Sequence, residues 1–199
     1  HLGLYAGPCG TATVVLRGRC RPQEWLRFRA FDGVVDALRA VLVRHPAWCE
    51  GVDDDAMAAL SRLFPVLTRV AAGARGEGAA GHAPVDPRTL RDRGFEALRA
   101  LLSQLARRGR LVLWVDDAQW ADADSVALAQ ALLGGPDAPR ALLVATWQSE
   151  VGDEAPMVAS LRALAGSLPA PRATEIALQP LGATEALSLA RTLLGADAA

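Results

Sequence analysis

Lysine is missing from this chain: all 21 of its basic residues are arginine. Cysteine is scarce as well. Cys9, Cys20 and Cys49 form no C-x-x-C pair, and the three histidines add no metal-ligand spacing, which excludes the common zinc patterns and leaves an ordinary reduced intracellular protein. No apolar run approaches the roughly 18 residues that a membrane-spanning helix needs, and no signal peptide opens the chain. The cytoplasm is therefore the expected location. A net charge of −1 is far from the basic face or stripe of a general nucleic-acid or anionic-membrane binder. The nearest candidate, "ARRGR" at 106–110, reads as a solvated helix end, where cations suit the carboxyl terminus of the helix dipole.

What is present is a core. With 199 residues, 51% of them hydrophobic, the chain can fold as one domain, or as one domain with the start of a second. "TATVVLRGRC" at 11–20 reads as a short buried strand. "FDGVVDALRAVL" repeats its apolar residues at helical spacing, from Phe31 to Leu42. "DDDAMAALSRLFPVL" offers aspartates as cap and first turn of a helix that stops near Pro65. Residues 71–85 are rich in Gly and Ala without periodicity and read as a surface loop. Asp86 and Pro87 then open a long helix that Gly109 ends. Three further segments read as strands: "LVLWV" at 111–115, "ALLVATW" at 141–147 and "ATEIALQPL" at 173–181. Helices are expected between them and after the last. Strands apolar on both faces and alternating with helices predict a parallel sheet covered on both sides.

The strand at 111–115 runs straight into Asp116 and Asp117. In open parallel sheets, ligands sit outside the carboxyl ends of the strands. An aspartate there can hold Mg²⁺, which prefers hard oxygen donors and keeps part of its water shell. A neighbouring carboxylate can orient and deprotonate a water that attacks a phosphoryl group. The pattern is that of a Walker B strand, although aspartates after a strand also cap turns and helices. Asp122 and Asp124 read as the N-cap of the helix that follows.

The longer string "LVLWVDDAQWADADSVALAQAL" resembles the Walker B region of AAA-like P-loop ATPase modules in bacterial signal-transduction ATPases with numerous domains. "ALLVATWQSE" resembles their next strand and sensor segment. "VVLRGRCRPQEW", "FDGVVDALRAVL" and "LSRLFPVLTRV" resemble stretches of modules fused to serine/threonine protein kinases, LuxR-type regulators or cyclases, and "LQPLGATEALSLARTLLG" resembles the entry to their helical lid. The resemblance implies an α/β fold: a partial, three-layer P-loop NTPase with a parallel sheet over residues 1–179 and the start of a helical lid over 180–199. It further implies ATP and Mg²⁺ as ligands, with Asp116 as the metal-associated carboxylate and Asp117 as the catalytic acid. Gln148 stands where these modules often carry arginine, as a phosphate contact without charge. The implied partners are a nucleotide and attached output domains, with neither membrane nor nucleic acid contacted by this segment.

One half of such a site is not in the chain. A P-loop, G-x-x-x-x-G-K-[ST], needs its lysine for the β- and γ-phosphates. "GPCG" at 7–10 looks like the opening of one, but Thr11, Ala12 and Thr13 follow it. Nor can the few residues between "LGLYA" and Val14 hold the crossover that two parallel strands require. In that superfamily the P-loop strand lies mid-sheet, beside the Walker B strand and the final apolar strand, so a vacant central slot is expected. Either the chain is a fragment beginning after the Walker A region, which the non-methionine start favours, or it is a degenerate module. In both cases this chain alone is expected to be inactive. The competing function is a nucleotide-independent interaction scaffold of the same fold.

Overall fold

Apolar strands that alternate with amphipathic helices build one sheet in the computed structural model, which describes residues 3–6, 12–22, 27–74, 86–152, 154–168 and 173–194. Its strand order is β1 (Gly3–Ala6), β2 (Ala12–Arg19), β3 (Arg110–Asp116), β4 (Ala141–Ala145). β2, β3 and β4 are parallel, with Leu16 opposite Leu113 and Leu113 opposite Leu143. β1 is antiparallel to β2, as a connection too short for a crossover requires. The remainder of the expected loop, Gly7–Thr11, lies outside the described residues. The architecture is α/β, an open sheet with three parallel strands and helices, as a partial AAA-like P-loop NTPase fold has.

The sheet's two faces differ. Val14, Leu16, Leu111, Leu113 and Val115 are buried on one face, against α1 (Arg29–Arg44) and the helices beyond it. Gly18 on β2 and Gly33 on α1 set the closeness of that packing: a Cβ on Gly33 would lie 2.9 Å from the Gly18 Cα, and one on Gly18 would lie 2.9 Å from the Ala30 carbonyl oxygen. On the opposite face, Val15, Arg17, Val112, Trp114, Leu142 and Val144 are all half-buried or exposed. Full cover on both sides, expected from the apolar strands, is thus met on one face among the described residues.

A second expectation is corrected. β3, the strand that ends in the two aspartates, has β2 on one side and β4 on the other, so no vacant slot adjoins it. Among the described residues the strand with a single partner on this side of the sheet is β4.

The helices follow their sequence signals. α2 (Asp54–Leu63) starts where the Asp53 carboxylate accepts from the Ala56 amide at 2.9 Å, and it ends before Pro65. α3 (Thr68–Ala74) extends into the segment expected to be a loop. Residues 75–85, the rest of that segment, lie outside the described residues. α4 (Pro87–Arg108) is capped by Asp86, with Pro87 at its first position, and Arg108 bonds back to the Gln104 carbonyl at 2.9 Å. α5 (Ala123–Leu133) is capped by Asp122. The same carboxylate accepts from the Phe28 and Arg29 amides at 2.9 and 3.1 Å. It thereby holds Phe28 in a left-handed conformation, φ 60°, that a bulky residue adopts only when its surroundings over-determine it. α6 (Ser149–Gly152) and α7 (Pro156–Ser167) close this part of the chain.

Contacts divide the chain into two units, 1–167 and 168–199. In the second, residues 173–182 form no strand, contrary to the reading of "ATEIALQPL", and α8 (Ala183–Leu193) follows. A strand needs a partner for its backbone groups, and apolar composition does not supply one. The segment expected to begin the helical lid, from 180, falls inside this unit. No helix among the described residues is long and apolar enough to cross a membrane.

Candidate functional site

Asp116 is the last residue of β3 and Asp117 the first beyond it, so both lie at the carboxyl end of a strand with parallel neighbours on each side. Asp117 is left-handed, φ 55°, ψ 44°, a conformation that aspartate tolerates better than most side chains. The chain turns sharply there into Ala118–Trp120, a short 3₁₀ turn. The Ala118 amide donates to the Thr146 carbonyl at 2.8 Å, and the Thr146 amide to the Val115 carbonyl at 3.0 Å. These bonds tie the residue just past β4 to the two acids.

Thr146 is the residue that sequence reading missed. Its hydroxyl donates to Asp116 Oδ1 at 2.6 Å and accepts from the Asp117 amide at 3.3 Å. The other Asp116 oxygen, Oδ2, accepts from Arg17 on β2 at 2.8 Å. Arg17 also lies 4.3 Å above the Trp114 ring, a cation–π contact on the half-open face of the sheet. Trp114 is half-buried there. The Thr146 hydrogen bond, then the Arg17 guanidinium and the more distant Arg19, hold the Asp116 carboxyl below the usual carboxylate range against the opposing effect of burial.

Arg19, two residues further along β2, bonds Asp117 Oδ2 at 2.8 Å and lies 4.0 Å from Asp116 Oδ2. Gln119 donates to Asp117 Oδ1 at 3.4 Å from a buried position, and its own carbonyl oxygen has no partner among the described residues. Nothing in the spacing of the two arginines announces their meeting with acids about a hundred positions away, whereas Gln119 is a near neighbour of the acid it bonds.

Gln148 stands apart. It is exposed, beyond the end of β4, and no hydrogen bond among the described residues joins it to the acids. Asp122 and Asp124 serve the start of α5, Asp122 as its cap and Asp124 in an ion pair with Arg27 at 2.7 Å.

Two carboxylates and a hydroxyl make a hard-oxygen donor set that fits Mg²⁺, which takes one or two protein carboxylates and completes its octahedron with water and phosphate oxygens. An all-protein cage is not what gathers here: no group of three or more His, Cys, Asp or Glu side chains suited to a metal occurs among the described residues.

The family profile of the AAA ATPase domain matches residues 9–145, from shortly before β2 to the end of β4. The chain belongs to that family. No curated protein and no solved structure matches it. Within this AAA ATPase domain the matched region contains both aspartates and both arginines, and Thr146 follows directly after it.

Proposed function

We propose that this AAA ATPase domain is an ATP-binding regulatory module of a cytoplasmic, multidomain bacterial signalling or transcriptional protein, whose nucleotide state sets the output of attached domains. The observation that supports this most is the position of Asp116 and Asp117 together at the carboxyl end of a strand inside a parallel sheet, where ligands of such sheets bind. Asp116 would hold Mg²⁺, which, when bound, neutralises charge on the phosphates. Thr146 fixes the rotamer of Asp116 and keeps it ionised. Asp117, fixed by the left-handed turn, orients water and takes up its proton. Gln148 offers an amide to a phosphate oxygen, which binds without adding charge.

A second reading has its own support. Both acids already have cationic partners, and the chain has no lysine, which suits an interaction scaffold that binds no nucleotide. Thermal unfolding of the full-length protein separates the two, because a ligand that binds only the native state stabilises it by about 2.7 kcal/mol at 100 times its dissociation constant. The nucleotide reading expects a higher melting temperature with Mg·ATP, lost in Asp116→Ala. An identical shift in that variant would remove Asp116 from the site, and no shift in the wild type would leave the scaffold.

A further inference from the structure

The amino ends of the parallel strands, opposite the end that carries Asp116 and Asp117, gather positive charge. Arg44 ends α1, Arg107 and Arg108 end α4, Arg110 starts β3, and Arg140 directly precedes β4. All five are exposed. Among the described residues no ion pair joins any of them to an acid, although Arg17, Arg19, Arg27, Arg39 and Arg91 each have one. The nearest exposed acids along the chain, Glu50 and Asp137, are not paired to them either. Helix dipoles account for part of the cluster, since cations suit the last turns of α1 and α4. They do not account for Arg110 and Arg140, because strands have little net dipole. Leu111 pairs with Ala141 in parallel register, so these two arginines take neighbouring positions one residue before that pair, and like charges side by side on adjacent strands are destabilising. Arg108 is the fixed member. Its guanidinium lies 5.3 Å from the Trp48 ring and donates to the Gln104 carbonyl and to Gln104 Oε1, both at 2.9 Å. His45 stacks on the same ring, with centroids 4.3 Å apart and 12° between the planes.

We propose that this arginine cluster is a docking surface for an acidic protein segment, one that presents several Asp or Glu side chains within a short stretch. The planar fork of a guanidinium takes both oxygens of a carboxylate at once, and carboxylates from outside relieve the repulsion between Arg110 and Arg140. The distribution of charge favours a short partner over a long polyanion. The remaining 16 of the 21 arginines face 22 acids, so a nucleic acid or an anionic bilayer that extends past the cluster meets repulsion, whereas a short segment meets only the cluster. Trp48 is already stacked by His45 and approached by Arg108, and so is not a free platform for a nucleic-acid base. The surface lies at the opposite end of the sheet from the two acids and does not depend on the nucleotide reading.

The test is fluorescence anisotropy of a labelled hexaglutamate peptide titrated with the full-length protein. The wild type is expected to bind it, less tightly as salt rises. Substituting Arg110→Gln and Arg140→Gln together is expected to weaken binding about tenfold, the scale of one charge-assisted hydrogen bond. Arg44→Gln with Arg107→Gln is expected to act in the same direction, and serves if the first pair does not fold. Arg27→Gln removes a cation at the other end of the sheet and is expected to leave the affinity unchanged. A wild type that does not bind the peptide overturns the proposal, and so does a comparable loss in Arg27→Gln, which would mean a response to net charge alone. Tighter binding of a single-stranded oligonucleotide of equal charge, or of phosphatidylserine vesicles, would give the surface to a different partner and overturn it as well.

Discussion

At the scale of single residues, the site turns on a threonine. The Thr146 hydroxyl is the leading cause of the depressed Asp116 pKa, ahead of Arg17. A carboxyl whose folded pKa lies below its unfolded value contributes stability that is complete above the unfolded value, near pH 4, and disappears as pH falls through the folded one. Thr146→Val removes the donor and leaves Arg17 in place. Its Asp116 is expected to titrate closer to the ordinary value, so that the contribution of this carboxylate is smaller and is exhausted at a higher pH, and stability at neutral pH is expected to fall by about 1 kcal/mol. An NMR titration of the Asp116 carboxyl reads this directly. An unmoved midpoint would transfer the leading role to Arg17.

At the scale of elements, the close crossing of α1 over β2 fixes where the strand's polar end is presented. Gly18 and Gly33 face each other with no room for a methyl group on either, since the contacts would be 2.9 Å to backbone atoms on both sides. Backbone cannot swing aside as a flexible side chain can. Gly33→Ala is therefore expected to destabilise the fold by roughly 1–3 kcal/mol, the usual cost of overpacking. Urea denaturation checks the value, and an unchanged midpoint would mean that α1 slides outward freely. The same crossing ends at the Phe28 turn, which the Asp122 carboxylate holds from α5. One aspartate thus joins the starts of two helices, which a cap read from the sequence predicts for only one of them.

At the scale of the whole molecule, the sheet is open where β4 has a single described partner, and one of its faces carries Val15, Val112, Trp114, Leu142 and Val144 without full burial. Edge strands with apolar side chains in water are templates for pairing with other chains. Leu142, 61% exposed, is the most open of these. Leu142→Lys places a charge on that edge and is expected to reduce self-association of the full-length protein, while shifting its stability by no more than about 0.5 kcal/mol. Sedimentation velocity and a thermal melt measure the two effects separately. Association that is indifferent to this substitution would assign it to another surface.

The elements that local physics governs were legible along the chain. Caps at Asp53, Asp86 and Asp122, a proline at the first position of α4, and apolar runs ended by acids at β3 all act within a few residues, and each appears where it was expected. The wider AAA-like pattern was legible in the same way, because the string around Asp116 and Asp117 is contiguous. Tertiary structure alone decided the rest. Strand order placed β3 between β2 and β4, where a vacant neighbour had been expected. Pairing left residues 173–181 without a ladder despite their composition, since a strand exists only with a partner. The site itself was assembled across the sheet: Arg17 and Arg19 come from one strand, the acids from the next, and Thr146 from the turn after a third. Parallel register brings those positions to one edge from far apart in the chain, so no spacing along the sequence records their meeting.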